Sequence, residues 1–229
     1  MSTALDRGTI EKAYARWAPV YDLVFGAVFE RGRMASIAAA EQACGTGGRI
    51  LEVGVGTGIS LPEYGRDHRL VGVDISAPML RRALERVIEH KLHNVEALAV
   101  MDAKHLGLPD AAFDVVVAQY VITAVPDPEA TLDEFVRVLK PGGEIILVNH
   151  LGAESGLRRA FEQGFAPLAR RLGWSPEFPW ARLTRWAQTA PGVRLIERRP
   201  MPPLGHFSLI RFAKAGAAAA PARAAAAGA

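Results

Sequence analysis

The sequence contains a single cysteine, Cys44, among its 229 residues. One thiol forms no intramolecular disulfide and no cysteine metal cluster, which fits a reducing cytoplasm. No base lies beside Cys44 in the sequence, so a catalytic thiol is not indicated. The histidine and acidic residues also lack the spacing of a ligand cluster, and no metal is expected.

Long apolar runs are missing as well. No stretch reaches the roughly 18 residues that a membrane-spanning helix needs, and Met1–Arg16 lacks the apolar core of a signal peptide. The net charge is only +3, which does not by itself imply nucleic acid. We therefore expect a cytoplasmic monomer without a nucleic-acid partner, which meets a membrane only at its surface.

Half of the residues are hydrophobic, enough for a substantial core. Apolar runs alternate with helical segments, Ala77–His90 after the candidate N-cap Ser76 and Asp127–Leu139 before the breaker Lys140–Gly143. This alternation predicts an α/β fold with a doubly wound, parallel sheet, in which continuous apolar strands are buried on both faces. The predicted strands are Arg49–Val55, Leu70–Ile75, Val95–Met101, Phe113–Ile122 and Glu144–Asn149.

The pattern changes after Asn149. Residues 151–190 are predicted to form a helical insertion for substrate or membrane, and Val193–Arg198 and Phe207–Phe212 a hairpin at the sheet edge. The tail, residues 215–229, is rich in alanine and is expected to be disordered. The predicted organisation is a helical lid or membrane-contact segment at 1–40, a main domain at 41–214, and this tail.

The glycine-rich segment Leu51–Gly58, LEVGVGTG, carries the densest functional signal. Glycines allow a sharp turn and let a ligand approach where a Cβ would clash. The third glycine, Gly58, comes one residue earlier than in the G-x-G-x-x-G dinucleotide fingerprint, which disfavours a nicotinamide cofactor. No Gly-Lys-Ser/Thr follows, so a P-loop is excluded.

Three acidic residues lie at or near the ends of successive predicted strands. Glu52 is inside the first strand, while Asp74 and Asp102 end the second and third. Ligands bind at this edge of open α/β sheets. At that edge the Asp74 carboxylate is suited to accept hydrogen bonds from both hydroxyls of a ribose. Asp102, which is followed by Ala103, is suited to accept a hydrogen bond from an adenine amino group. Each aspartate alone is equally well explained as a strand-terminal cap.

Together with GVDIS-x-x-ML, MDA, FDVVVAQYVI and LKPGGEIIL, the loop resembles the class I S-adenosylmethionine-dependent methyltransferases over about Ile50 to His150. The resemblance implies a Rossmann-like fold, with helices on both faces of a seven-stranded, mostly parallel sheet whose last strand is antiparallel. It implies S-adenosylmethionine as cofactor, with the methionine part near the loop, the ribose on Asp74, and Gln119 and Tyr120 near the sulfonium. The implied cofactor residues are Glu52, Gly54, Gly56, Thr57, Gly58, Asp74, Ile75, Met79, Asp102, Ala103, Gln119 and Tyr120.

An aromatic set near the start of the chain is a candidate substrate site. Tyr14, Trp17 and Tyr21 share one face if the segment is helical, although Pro19 would kink it. Their rings suit a lid that contacts a cation, such as a methylated amine or the sulfonium. Packing of the same rings on the sheet is the alternative.

Basic residues flank an apolar stripe in Glu154–Trp174. A basic, amphipathic, aromatic segment favours binding to an anionic membrane surface, and a core-facing helix with a solvated basic face is the alternative. Arginines of the last strands, Arg199 and Arg211 among them, suit a phosphate group but are equally common as surface residues.

YARWAPVYD, EVGVGTGISLPEY and VNHLG give the chain, apart from its tail, a resemblance to the soluble bacterial phosphatidylethanolamine N-methyltransferases. That resemblance implies a phospholipid substrate at the inner face of the cytoplasmic membrane and three methyl transfers that yield phosphatidylcholine. Substrate contacts are expected from Tyr14, Trp17, Tyr21, Asn149, His150, Arg199 and Arg211, and deprotonation of the amine by Tyr21, His150 or Tyr14, or by water. Quinone-ring C-methylation, another small-molecule methyl transfer and a non-catalytic binding module are the alternatives.

Overall fold

The computed structural model describes residues 21–152, 178–201 and 207–216, with side chains from residue 29 onward. A long helix precedes strands and helices that alternate along the chain. The elements are α1 (Tyr21–Cys44), β1 (Arg49–Val53), a 3₁₀ turn (Leu61–Glu63), β2 (Arg69–Asp74), α2 (Ala77–Glu89), β3 (Val95–Val100), β4 (Phe113–Gln119), α3 (Pro128–Val138), β5 (Leu139–His150), α4 (Trp180–Thr189), β6 (Val193–Met201) and β7 (Phe207–Lys214).

The seven strands form one sheet in the order β3-β2-β1-β4-β5-β7-β6. Strands β1 to β5 pair in parallel, whereas β7 runs antiparallel to both β5 and β6. The predicted α/β class, the antiparallel last strand and the hairpin of the last two strands are confirmed. Because the order reverses at β1 and β4, the carboxyl ends of these two central strands are where a ligand is expected.

Apolar side chains pack on both faces of the sheet. On one face, Ile37 of α1 and Leu80 of α2 join the alternate strand residues Ile50, Val115 and Val117. On the other face, residues of α3 and α4 cover the remaining strand residues; they include Leu132, Phe135, Leu183 and Trp186, all less than 5% exposed. Burial on both faces explains why the central strands read as continuous apolar runs.

Several predicted features of the strands and helices differ from the structure. Strand β3 is largely exposed rather than buried on both faces, because it lies at the edge of the sheet. Strand β4 ends at Gln119, because Tyr120 has a φ of +62° and leaves the extended conformation. Helix α3 ends at Val138, and the expected breaker Lys140–Gly143 lies inside β5, so helix and strand follow each other directly.

The predicted cap Ser76 does precede α2, but its side chain makes no capping hydrogen bond. Asp127 caps α3 instead, accepting a hydrogen bond of 3.2 Å from the Ala130 backbone N–H. Helix α1 crosses residue 40, the expected end of the N-terminal segment, and packs on the sheet with its second half. Most of the expected insertion, residues 153–177, and the tail from residue 217 lie outside the described residues.

Candidate active site

A cavity of about 210 Å³ opens at the carboxyl edge of β1, β2, β3 and β4. Its wall is mostly apolar, with a few acidic groups. Of the residues predicted to hold the cofactor, all but Gly58 line it: Glu52, Gly54, Gly56, Thr57, Asp74, Ile75, Met79, Asp102, Ala103, Gln119 and Tyr120. The sequence pattern therefore brings one contiguous set of side chains to this edge.

The loop after β1 needs glycine at three positions. Gly54, Gly56 and Gly58 have φ values of +73°, +56° and +71°, a region that other residues rarely adopt. At Gly54 a Cβ would also overlap the side chain of Val121, and at Gly58 it would lie 3.0 Å from the Cβ of Ala83 in α2. Gly58 thus allows the loop to pack against α2, which explains its place outside the cavity.

Asp74, at the end of β2, holds this loop in position. Its Oδ2 accepts a hydrogen bond of 2.9 Å from the Gly56 N–H, and its Oδ1 one of 2.8 Å from the Ser76 N–H. Burial raises the pKa of Asp74, and these backbone donors counteract the effect. Each oxygen has a second lone pair, so the carboxylate can brace the loop and still accept a hydrogen bond from a ligand in the cavity.

Glu52, in β1, is 4% exposed and lies on the α1 face of the sheet. Its Oε1 accepts a hydrogen bond of 2.5 Å from the Ser60 hydroxyl. Its Oε2 has no hydrogen-bond partner in the part of the chain that the structure describes. Burial raises the pKa of Glu52 to about 7, although the hydroxyls of Ser60 and Tyr64 and the charge of Arg33 oppose the rise. A buried carboxylate in a cavity wall is suited to accept a hydrogen bond from a donor on a ligand.

At the other end of the cavity, Asp102 and Ala103 follow β3, and Met79 lies in the first turn of α2. Asp102 Oδ1 accepts a hydrogen bond of 3.0 Å from the Lys104 N–H. Asp102 therefore caps the chain after β3, as the alternative explanation expected. It also lines the cavity, where it can contact a ligand.

Gln119 and Tyr120 connect β4 to α1. The Gln119 amide donates a hydrogen bond of 3.1 Å to the Ser36 hydroxyl, and the Tyr120 hydroxyl one of 3.0 Å to the Phe29 carbonyl. Burial raises the pKa of Tyr120 above its ordinary value. The phenol therefore stays protonated at neutral pH and cannot act as a base there.

Aromatic rings cluster around Tyr120. The Phe29 ring stacks on it with centroids 4.1 Å apart, and the Phe207 ring meets both edge-on at 5.5 and 5.4 Å. His150 lies edge-on to Phe207 at 6.2 Å. Phe29 and Tyr120 line the cavity, so the cluster extends from the cavity to the end of β5.

The residues expected to bind the substrate are not all brought together. Tyr14 and Trp17 lie outside the described residues, as do Arg158, Arg159, Arg170 and Arg171 of the basic stripe; Tyr21 begins α1, with its side chain outside them. Asn149 is fully buried in β5, and its amide has no partner among the residues described.

Neither predicted arginine lines the cavity. Arg211 forms ion pairs of 2.9 Å with Glu144 and 3.5 Å with Glu197, beside the middle of β5, where it is opposite Ile146. Arg199, on the edge strand β6, pairs with Glu197 at 2.9 Å. The expected phosphate contact is therefore not supported for Arg211, because its guanidinium is engaged by carboxylates away from the cavity.

Sequence reasoning missed several cavity residues, including Phe29, Arg33, Ser60, Val121 and Ala124–Pro126. The run Ala124–Pro126 comes shortly after the predicted strand Phe113–Ile122, and that position was a usable signal. Phe29 and Arg33 are four residues apart on α1, a spacing that places them on one face of the helix but does not say what that face meets. Among the described residues, no group of three or more His, Cys, Asp and Glu is arranged for a metal ion.

Three comparisons with known proteins agree with this geometry. Residues 51–147 match the model of a methyltransferase domain family. The phosphatidylethanolamine N-methyltransferase of Cereibacter sphaeroides is 40% identical over 208 residues, covering 91% of this chain and 98% of that protein. The demethylmenaquinone methyltransferase of Listeria monocytogenes is 37% identical over 107 residues, or 45% of each chain.

A solved structure resembles the fold over most of its length. The possible histamine N-methyltransferase of Thermotoga maritima, described as S-adenosylmethionine-dependent, superposes with a TM-score of 0.63 at 25% identity, covering 90% of this chain and 99% of that one. The chain belongs to the class I S-adenosylmethionine-dependent methyltransferases, in the family of the Cereibacter enzyme, and S-adenosylmethionine is its methyl donor.

Proposed function

We propose that the protein transfers methyl groups from S-adenosylmethionine to the amine of phosphatidylethanolamine and of its mono- and dimethyl forms, yielding phosphatidylcholine. The observation that carries this proposal is the extent of the 40% identity, which covers 98% of a phosphatidylethanolamine N-methyltransferase. It continues beyond the methyltransferase domain at 51–147 on both sides. We assign the choice of methyl acceptor to those flanking parts of the chain rather than to the cofactor loop.

The cavity residues fit the parts of S-adenosylmethionine. Oε2 of Glu52 can accept a hydrogen bond from the ammonium of the methionine part. Asp74 has lone pairs left to accept hydrogen bonds from ribose hydroxyls. Asp102 and Ala103, with Met79, border the remaining apolar end, where an adenine would fit. When bound, S-adenosylmethionine supplies an electrophilic methyl group on a sulfonium sulfur.

The protein's own contribution to transfer is alignment and exclusion of water. Phe29 and Tyr120 close the cavity on the α1 side with stacked rings. An incoming amine must be neutral to attack the methyl group. Tyr120 stays protonated, so we assign removal of the proton from the lipid ammonium to His150, Tyr21 or Tyr14, or to water. Of these residues, His150 lies next to the aromatic cluster.

Described residues at the carboxyl end of β5 support a substrate site there. The Gly152 N–H donates a hydrogen bond of 3.0 Å to the Phe178 carbonyl. Met201 and His150 both pair with Phe207, whose ring contacts Phe29 and Tyr120 of the cavity wall. We infer that the lipid amine approaches the cofactor from this end of β5, with Tyr14 and Trp17 among the residues of the lipid site.

We further propose that the enzyme acts as a monomer, without nucleic acid, at the surface of an anionic membrane. A diacyl lipid is nearly insoluble, so the protein has to meet it at a bilayer. In the described part of the chain, no helix is long and apolar enough to cross one. The basic residues of 154–174 would supply the attraction, which salt should weaken.

Quinone-ring methylation is the second candidate, favoured by the 37% identity to a demethylmenaquinone methyltransferase. That identity covers 45% of each chain, and we therefore rank it lower. Purified protein should transfer label from S-adenosylmethionine to phosphatidylethanolamine in vesicles and not to a demethylated quinone. Mass spectrometry of lipids from cells that express the protein gives an independent readout, with Asp74→Ala as a control of reduced activity. Label on the quinone alone would reverse the ranking.

A further inference from the structure

The side-chain amide of Gln119 has a fixed orientation in the cavity wall. Its nitrogen donates a hydrogen bond of 3.1 Å to the hydroxyl of Ser36, a residue of α1 that is fully buried. The same hydroxyl donates its proton to the Arg33 carbonyl at 2.8 Å. Because that proton is engaged, the Ser36 oxygen can only accept from Gln119, and the amide nitrogen rather than the amide oxygen has to face it. The amide oxygen Oε1 is therefore turned away from Ser36.

Oε1 of Gln119 is an acceptor that the protein leaves available. Gln119 ends β4 and lines the cavity, where its side chain is half-buried. No residue in the described part of the chain donates a hydrogen bond to Oε1, whereas the amide nitrogen is bound to Ser36. A carbonyl oxygen held in a fixed orientation in a cavity wall is suited to a donor on a ligand.

The hydrogen-bond donors of S-adenosylmethionine are matched by other residues of the proposed site. Its ammonium is assigned to Glu52, its ribose hydroxyls to Asp74 and its adenine amino group to Asp102. These three carboxylates lie on β1 or on the β2–β3 side of it, whereas Gln119 belongs to β4, on the opposite side of β1. Oε1 is therefore left for a donor that the cofactor does not supply.

Gln119 lies on the side of the cavity from which we infer that the lipid amine approaches. Strand β5 is the neighbour of β4, and Gln119 is opposite Val148 in their pairing. The ring of Tyr120, the residue after Gln119, contacts the Phe207 ring edge-on with centroids 5.4 Å apart. Phe207 pairs with His150 at the carboxyl end of β5. The available acceptor and the proposed substrate end of the cavity are thus adjacent.

We propose that Oε1 of Gln119 accepts a hydrogen bond from an N–H of the lipid amine during methyl transfer, and that Ser36 is the positioning residue that keeps this oxygen turned toward the amine. The assignment rests on the proposed function, because it takes the methyl acceptor to be an amine. The bond holds one N–H and so restricts the direction of the nitrogen lone pair, which has to point at the methyl carbon. A neutral amide is better suited to this task than a carboxylate, which would stabilise the ammonium form of the amine and withhold the lone pair.

The chemistry of the step predicts how the contribution of Gln119 varies over successive transfers. The nitrogen lone pair forms a bond to the methyl carbon, while the bond from that carbon to sulfur breaks and leaves its electron pair on sulfur. Positive charge develops on the nitrogen, so the hydrogen bond from its N–H to Oε1 strengthens in the transition state. The product ammonium then releases a proton to the base or to water before the next transfer. A neutral primary amine has two N–H groups, the monomethyl form has one and the dimethyl form has none, so Gln119 assists the first two transfers and not the third.

Initial rates with the three acceptors, each in vesicles of the same composition, test this pattern. Gln119→Met keeps the length of the side chain and removes the acceptor. It should lower kcat/KM about ten- to a hundredfold for phosphatidylethanolamine and for its monomethyl form, the effect of losing a hydrogen bond to a charged group. The loss for the dimethyl form should be much smaller. A weaker affinity for the cofactor would affect all three acceptors alike, so the ratios between them report the N–H contact.

Binding without turnover gives a second readout. In the presence of S-adenosylhomocysteine, short-chain phosphatidylethanolamine can donate from its ammonium to Oε1, whereas short-chain phosphatidylcholine has no N–H. Calorimetry should show that Gln119→Met weakens binding of the first lipid severalfold more than binding of the second. Equal weakening of both lipids would contradict the assignment.

Ser36→Ala tests the positioning role, because it leaves Gln119 in place and frees its amide to rotate. It should give the same ranking of the three acceptors as Gln119→Met, with smaller losses. Thr131→Val is the matched control, since it also removes a buried hydroxyl that donates to a helix carbonyl, that of Asp127 at 2.9 Å, but outside the cavity. It should leave the ratios between the acceptors at the wild-type values.

Equal losses for all three acceptors in Gln119→Met would make Gln119 a structural or cofactor-binding residue and overturn the proposal. If Gln119→Met does not fold, equal losses for the three acceptors in Ser36→Ala would overturn it in the same way. A wild-type protein that binds S-adenosylhomocysteine but methylates none of the three lipids would refute the proposed function itself, and this assignment with it.

Discussion

The hydroxyl of Tyr120 donates a hydrogen bond of 3.0 Å to the backbone carbonyl of Phe29, across the boundary between β4 and α1. The two rings also stack with centroids 4.1 Å apart. Tyr120 reaches this position because its φ of +62° turns the chain out of the strand. Helix α1 is thereby held against the cavity wall.

The first prediction concerns the closeness of this contact. In Gly32→Ala, the new Cβ would overlap the Tyr120 hydroxyl and lie 2.8 Å from Cγ1 of Val148. We expect a loss of about 1–3 kcal/mol in the free energy of unfolding, the usual range for overpacking, and weaker S-adenosylhomocysteine binding. Urea denaturation and calorimetry measure the two effects. The second change Tyr120→Phe removes the overlapping hydroxyl and should recover part of the loss.

Gly107→Ala is the control for this pair, since nothing lies within 4 Å of its Cβ position and its φ is not positive. It should leave stability and affinity close to those of wild type. If Gly32→Ala behaves in the same way, α1 does not pack on Tyr120 as closely as described.

The second prediction separates the two roles of Asp74. Asp74→Ala removes the acceptor of the Gly56 and Ser76 N–H groups together with the proposed ribose contact. We expect S-adenosylmethionine affinity to fall by about 1–3 kcal/mol, the scale of lost charged hydrogen bonds. Asp127→Ala also removes a carboxylate that accepts from backbone, at the N-terminus of α3, outside the cavity. It should cost about 1 kcal/mol of stability and leave affinity unchanged. Equal affinities of the two variants would exclude Asp74 from the ligand site.

The third prediction is a pH dependence of cofactor binding. The raised pKa of Glu52, about 7, means that its carboxyl is largely protonated below neutral pH in the free protein. Binding of an ammonium requires the carboxylate, so affinity for S-adenosylhomocysteine should fall by up to about tenfold for each pH unit below 7. Above pH 7 it should rise by no more than about twofold, before the ligand's own amino group titrates at about 8. Binding at pH 6 should release a proton, measurable as a dependence of the calorimetric heat on buffer.

The same group acts on stability with the opposite sign. A carboxyl whose pKa is higher in the folded than in the unfolded state stabilises the fold while it is protonated. This contribution is complete below the unfolded value of 4.5 and is lost as pH rises through about 7. Glu52→Gln should therefore flatten both profiles between pH 5 and 7. Identical pH profiles for Glu52→Gln and wild type would show that another group titrates.

The central strands and the acidic residues of the site could be predicted from the sequence, for a physical reason. Strands buried on both faces must be apolar throughout, so β1, β2 and β4 stand out, and any carboxylate at their ends is conspicuous. Asp74 was found in this way, whereas Asp102 was found because it follows the predicted strand Val95–Met101. The same reasoning overestimated the burial of β3, because a single sequence does not reveal which strand ends the sheet.

Side-chain contacts that depend on tertiary packing could not be predicted from the sequence. Ser60 meets Glu52 only because the loop between them turns back, and Arg33 reaches the cavity only because α1 crosses the edge of the sheet. The partner of Arg211 follows from the antiparallel register of β5 and β7, which opposes Ile146 to Arg211 and Glu144 to Ala213. The sequence alone therefore suggested a phosphate ligand for Arg211, although its partner in the structure is the carboxylate of Glu144 on the neighbouring strand.

The last prediction tests this reassignment of Arg211. Its guanidinium donates from Nε and Nη2 to Glu144 Oε2, both at 2.9 Å, and the two side chains are only 15% and 16% exposed. Arg211→Met would leave Glu144 half-buried without its cation, which should cost about 2 kcal/mol in unfolding free energy, in the range for hydrogen bonds to charged groups. Changing Glu144 to Leu in the same chain should recover part of this cost, because the unpaired charge is then absent. Arg199→Met is the comparison, since Arg199 is 54% exposed in its pair with Glu197 and such pairs contribute little.

Neither arginine lines the cavity, so KM for phosphatidylethanolamine should stay at the wild-type value in both single variants, measured in vesicles at fixed lipid composition. A KM raised severalfold by Arg211→Met, in protein that remains folded at the assay temperature, would return Arg211 to the substrate site.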